Sequence, residues 1–255
     1  MPALLAALCF PALAQANQTV KLKASLVPER LGHGTTVGFG FEVSAADGRV
    51  PSPLTSVELD YPGNLGFAIS GLGLAICEAA TLEALGPDGC PANSRMGFGS
   101  AMAEIAVGPL IIRELTSVSI VRGPTQEGHL ALLFYANGEE PVSAGIVFPG
   151  LLVPSAPPFG GAVSIEVPLI PGLPGAPDIA VVRLSSTLGP EHLTYYRQVG
   201  GKTVAYNPAG VLLPKRCPAG GFRFAGLFSF LDGTTATANT VVPCPPRARA
   251  KPPRG

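Results

Sequence analysis

The chain has 255 residues, of which 47% are hydrophobic and 13% charged, with 17 basic residues against 17 acidic ones. That balance excludes a disordered polyelectrolyte, a coiled coil and a generally basic nucleic-acid binder. Its 32 glycines and 28 prolines lack the every-third-residue period of collagen, so they punctuate many short segments and favour β-structure.

Residues 1–16, MPALLAALCFPALAQA, form an uncharged apolar run closed by Ala14-Gln15-Ala16, small residues at the two positions a signal peptidase inspects. Cleavage after Ala16 is expected, although no Lys or Arg precedes the apolar stretch. The run is shorter than the roughly 20 residues a membrane-spanning helix takes, and no transmembrane segment is expected after cleavage. Cys9 follows Leu8, where a lipoprotein processing site wants a small residue. Asn17-Gln18-Thr19 matches a glycosylation sequon and is read as chance.

From Val20 the chain alternates, with Val20, Leu22, Ala24 and Leu26 on one face and Lys21, Lys23 and Ser25 on the other, the period of a half-buried strand. Val37, Phe39, Phe41 and Val43 repeat the pattern across Gly38, Gly40 and Glu42, and Val57 and Leu59 do so against Glu58 and Asp60. The one helical signal runs from Cys77 to Leu85, with Gly86 and Pro87 to stop it. Further strands are expected over 100–107, 110–121, 129–136, 142–148, 162–167 and 179–186. Turn signals stand at Asp47-Gly48, Pro62-Gly63, Asn137-Gly138 and Pro149-Gly150. The proline-dense stretch 148–178 reads as a rigid crossover within one domain in preference to a linker splitting the chain near 149–178, because Val163 to Val167 still alternates.

Two hairpins are better specified. Tyr195–Val199 turns at Gly200-Gly201 into Lys202–Tyr206, and Phe222–Phe230 turns at Asp232-Gly233 into Thr234–Val242. The tail 246–255 carries Arg247, Arg249, Lys251 and Arg254 with no acidic residue, so it is expected to be disordered, and it reads as a solvated terminus without a partner in preference to one drawn to anionic wall polymer or lipid headgroups.

Once the leader is removed, Cys77, Cys90, Cys217 and Cys244 remain, an even number in a chain bound for an oxidising compartment. Of the three connectivities four cysteines allow, Cys77 with Cys90 and Cys217 with Cys244 closes the short local loops. A metal site is not expected: no cysteines form a C-x-x-C pair, and His33, His129 and His192 are scattered singly.

Residues 57–107 contain a strand ending at Pro62-Gly63, then Cys77, a short helix with Leu82, the pair Cys90-Pro91, and Ser94-Arg95-Met96-Gly97 entering the next strand. This segment resembles a module of uncharacterised secreted and surface-exposed β-rich proteins of actinobacteria, with Tyr61-Pro62-Gly63 where that module usually has Pro-Pro-Gly. The resemblance implies an extracytoplasmic β-rich protein with a Cys77 to Cys90 bridge, and it carries no activity.

No catalytic constellation stands out. Gly97-Phe98-Gly99-Ser100-Ala101 misses the Gly-x-Ser-x-Gly elbow that lifts a nucleophile clear of a sheet. Gly71-Leu72-Gly73 is a fragment of a dinucleotide fingerprint, without Gly at 76. A glycoside hydrolase needs two opposed carboxylates, for which Glu58 with Asp60, or Glu139-Glu140, are the candidates. The chain has no Trp, leaving Tyr61, Tyr135, Tyr195, Tyr196 and Tyr206 as rings for stacking.

The sequence therefore predicts an all-β protein, an antiparallel β-sandwich of immunoglobulin-like or jelly-roll type spanning 17–245 with one short helix. Its expected role is that of a secreted structural, adhesive or ligand-binding module at the cell surface, taking cell-wall polymer or another surface protein as partner, with no cofactor and no nucleic acid. The alternatives are a carbohydrate-active hydrolase with a carboxylate pair and an assembly subunit binding partner strands at a sheet edge.

Overall fold

The computed structural model describes residues 18–63, 65–66, 71–138, 144–170 and 178–245. The leader at 1–16, Glu139-Glu140 and the tail 246–255 lie outside the described residues.

The alternating segments form long strands. β1 (Gln18–Val27) and β2 (Gly34–Ala45) are followed by β3 (Leu54–Pro62), the helix α1 (Ala79–Leu85), β4 (Arg95–Val107) and β5 (Leu110–Arg122). Then come β6 (Ala131–Gly138), β7 (Ala144–Val153), β8 (Phe159–Glu166) and β9 (Ala180–Leu188). The chain ends with the short pair β10 (Tyr195–Val199) and β11 (Lys202–Tyr206), the two-residue β12 (Val211–Leu212), β13 (Phe222–Phe230) and β14 (Thr235–Val242). Pro149-Gly150, expected at a turn, lies inside β7, where Gly150 begins the pairing to β8.

The sandwich expectation is corrected. Instead of two stacked sheets, one antiparallel sheet of 12 strands runs β1-β2-β9-β4-β5-β6-β7-β8-β3-β13-β14, with β12 beside β2, and curls until β1 lies against β14. It is a nearly closed barrel. No backbone ladder joins β1 to β14 among the described residues. Side chains tie that seam at one end: Gln18 Nε2 donates to Asp232 Oδ2 at 2.9 Å, and Thr234 Oγ1 donates to Gln18 Oε1 at 2.7 Å.

Bending a sheet this far needs places where strands press together. Gly97 and Gly99 of β4 supply one. A Cβ on Gly97 would fall 1.9 Å from the Thr187 carbonyl oxygen of β9, and the β4–β5 register shifts between Arg95 and Gly97. Any side chain at these positions would force the two strands apart.

The inward faces carry Val37, Phe41, Val57, Leu59, Val118, Ile120, Phe134, Ile165 and Phe228, all buried. Side chains from opposite walls meet, leaving an apolar cavity of about 60 Å³ beside Leu22, Val37, Leu59, Ile120 and Phe224, and another of about 100 Å³ beside Phe41, Val57, Val118 and Phe148. Small-molecule sites need about 300 Å³ or more, so the lumen is a packed core. Apolar residues inside and Lys21, Lys23, Ser25 and Arg183 outside invert the pattern of a membrane barrel. No helix among the described residues is long and apolar enough to cross a membrane.

β6 departs from alternation because both of its faces are covered. Leu132 and Phe134 enter the core, while Leu133 is buried from outside by a cluster with Cys77, Leu82, Cys90 and Val121, the module carried by α1. Cys77 bridges to Cys90 with Cα atoms 5.3 Å apart, and Cys217 bridges to Cys244 at 6.0 Å. Both expected pairings are present, and two disulfides suit an extracytoplasmic environment.

Candidate functional site, a polar groove on the barrel wall

The registers of β1, β2, β9 and β4 align outward residues in rows across the wall. One row reads Lys23, Gly40, Ser185, Ser100, Ser117 and Asn137 from β1 to β6. Its neighbours read Lys21, Glu42 and Arg183 on one side, and Ser25, Gly38, Thr187 and Phe98 on the other. Because Gly38 and Gly40 present no side chain, the wall is hollowed there into a groove of about 380 Å³, rimmed by Lys23, Ser25, Glu42, Arg183, Ser185 and Thr187. That volume is in the range of ligand sites.

The groove is electrostatically organised around Glu42. Lys23 Nζ donates to Glu42 Oε1 at 3.0 Å, and Arg183 Nε stands 3.8 Å from the same oxygen. The hydrogen bond from Lys23 holds the Glu42 carboxyl below its ordinary pKa, and the charges of Lys23, Arg183 and Lys21 act in the same sense. Being depressed, this ionisation favours the folded state above the ordinary carboxylate pKa, and the contribution is lost as pH falls through the lowered value. Two cations, Lys23 and Arg183, against one carboxylate leave the groove positive, with Lys21 beyond its rim in the Glu42 row and hydroxyls of Ser25, Ser185 and Thr187 along it.

The sequence-nominated residues fall elsewhere. Glu58 and Asp60 lie side by side on the outer face of β3, Glu58 between Leu227 and Ser164, and Asp60 accepts a hydrogen bond from the Ser155 hydroxyl. They do not face one another across the groove, whose lining holds Glu42 as its one carboxylate among the described residues. Ser100 is an exposed member of the hydroxyl row. His33 and His192 are exposed on separate connections, and His129 lies in the turn before β6. No group of three or more metal-ligating side chains occurs among the described residues.

Gly71-Leu72-Gly73 serves structure. The Gly73 N–H donates to the Tyr195 hydroxyl at 2.8 Å, that hydroxyl donates to the Arg95 carbonyl, and Arg122 Nη1 donates to the Gly73 carbonyl at 2.8 Å. Tyr195 is fully buried, and burial pushes its phenol above the ordinary value. It is thus a lock between the disulfide module and the barrel, unavailable for stacking on a ligand. Tyr195→Phe is expected to leave the Gly73 N–H and Arg95 carbonyl without that partner and to cost about 2 kcal/mol. Amide exchange at Gly73 checks this, since an unchanged rate would deny the lock.

Comparison with protein-family models, curated proteins and solved structures finds no match to this chain. The groove residues Gly38, Gly40 and Glu42 were visible in the sequence only as the polar side of a strand. Arg183 and Ser185 reach them through the β2–β9 register, which no local pattern encodes.

Proposed function

We propose that this chain is an exported, disulfide-braced module of the cell surface, which binds an anionic wall polymer in the groove over β1, β2 and β9. The observation that carries the reading is the groove itself: a positive, hydroxyl-lined hollow of about 380 Å³ beside a barrel lumen too small for a ligand. A polymer bearing phosphates or carboxylates would exchange with Glu42 for Lys23 and Arg183, while Ser25 and Ser185 donate to its oxygens and Thr187, whose hydroxyl donates to the Phe98 carbonyl, borders them. The signal-like leader, the two disulfides and the resemblance of residues 57–107 to surface-exposed actinobacterial proteins support the location.

The test is binding to poly(glycerol phosphate), with a neutral β-glucan as control. Each lost cation near a polyanion is worth about 1 kcal/mol, so Lys23→Ser with Arg183→Ser is expected to weaken binding by about thirtyfold. Added salt should weaken the wild type. Glu42→Gln is expected to strengthen binding by freeing both cations, and lowering the pH below the ordinary carboxylate range should do the same in the wild type only. Equal retention of the neutral glucan, or a double variant that binds as the wild type does, overturns the reading.

A further inference from the structure

β10 and β11 form a two-stranded sheet of their own, outside the barrel. Isolated two-stranded ribbons are marginal in water and normally gain stability by packing a face or adding a strand. This one is anchored only at its base. Tyr195 is fully buried, Tyr206 packs edge-on against it with centroids 6.0 Å apart, and beyond them residues 196–205 are exposed on both faces. Tyr196, Val199 and Val204 are among the exposed apolar side chains of the chain.

The two edges of the ribbon are not equivalent. Asn93 occupies the β10 edge as a strand would: its Nδ2 donates to the Tyr196 carbonyl at 2.7 Å, and the Tyr196 N–H donates to its Oδ1 at 2.8 Å. Tyr196 therefore points its backbone groups away from β11, and its partner Ala205 points its own away from β10. The turn agrees. Gly200 and Gly201 both have positive φ, at 55° and 77°, the two-residue hairpin turn in which Val199 and Lys202 close the ladder. Pairing then alternates, so the N–H and C=O of Thr203 and Ala205 project from the outer edge of β11. Both residues are exposed, and no backbone partner meets them among the described residues.

The charge on this arm has one sign. No acidic residue occurs between Leu193 and Leu231, while Arg197 and Lys202 stand on the same face of the ribbon, Arg197 lying 5.2 Å over the Tyr206 ring. A second copy of the arm would bring only further cations to this face, and the basic tail 246–255 is ruled out by the same repulsion.

We infer that the β10–β11 ribbon is a docking arm, and that the β11 edge takes an added strand from an acidic partner protein. The main-chain groups of Thr203 and Ala205 supply the ladder. Alternate side chains of the incoming strand lie beside Lys202 and Val204, so the recognised segment is extended, with a carboxylate beside Lys202 and an apolar residue two positions away beside Val204. This site is separate from the groove, and either can fail without the other.

The probe is a capped ten-residue peptide of repeating Glu-Thr-Val-Thr, which sets Glu and Val two positions apart on one strand face, compared with one in which Lys replaces each Glu. Binding is read by fluorescence anisotropy and by amide chemical shifts of the full chain. The acidic peptide is expected to shift and protect the Thr203 and Ala205 amides, and the basic peptide is not. Ala205→Pro removes an N–H that the hairpin ladder does not use, so it should cut affinity at least tenfold, with Ala205→Ser binding as the wild type does. Lys202→Glu, which leaves the backbone intact, should reverse the preference between the two peptides. Undiminished binding by folded Ala205→Pro overturns the proposal. So does a shift map centred elsewhere, an unchanged preference in Lys202→Glu, or self-association through the arm.

Discussion

Mild reduction of the native protein is expected to open Cys217–Cys244 before Cys77–Cys90, and to lower stability by about 3.5 kcal/mol at that first step. Cys244 is exposed, whereas Cys77 and Cys90 are buried under α1, so only the first bridge meets a thiolate in the folded state. The magnitude follows from the 27-residue separation of the pair, through the chain entropy restored to the unfolded state. For a chain of this size that corresponds to a melting point lower by about 7–14 °C. Opening Cys77–Cys90, with its separation of 13, adds about 3 kcal/mol and releases the helix that covers Leu133. Thiol labelling with mass mapping, run beside a thermal melt, checks the order. Simultaneous labelling of all four cysteines, or a first step with no change in melting point, would contradict it.

The disulfides were legible because both close local loops, and the strands were legible where one face alone is buried. β1 and the β13–β14 hairpin show their period in the sequence, since core and solvent alternate along them. The first residues of β4 did not. Its start at Arg95 precedes the expected one because Gly97 and Gly99 have no side chain with which to mark a face, and the lack of that side chain is what lets β4 press on β9. Pro149 misled in the opposite way. It reads as a turn, yet it sits one residue before the β8 ladder begins, where a missing N–H is tolerated.

Closure was not legible at all. A sandwich and a packed barrel present the same alternation to each strand; they differ in whether the outer strands of two layers pair with each other. Here β9, late in the chain, is inserted between β2 and β4, and β3 joins β8 to β13. These are long-range registers, and they are also what places Arg183 against Glu42. The site was hidden for the same reason as the fold.

Because β1 and β14 share no ladder, the barrel is closed chiefly by side chains, and Phe228→Ala is expected to cost about 4 kcal/mol, or 8–16 °C in melting point. Phe228 is fully buried and meets Phe41 edge-on, with centroids 5.2 Å apart. Phe41 belongs to β2 and Phe228 to β13, the strands next to the two open edges, so this contact spans the seam. Truncation therefore leaves a cavity and also loosens the closure. Phe134→Ala provides the contrast, since Phe134 stacks on Phe148 within the continuous part of the sheet at 5.5 Å and should cost a similar amount without touching the seam. Amide exchange separates the two effects: Phe228→Ala should speed exchange in β1 and β14 ahead of β5 and β6, and Phe134→Ala should show no such bias. An even increase across all strands in Phe228→Ala would mean that the seam is held by something other than this pair of rings.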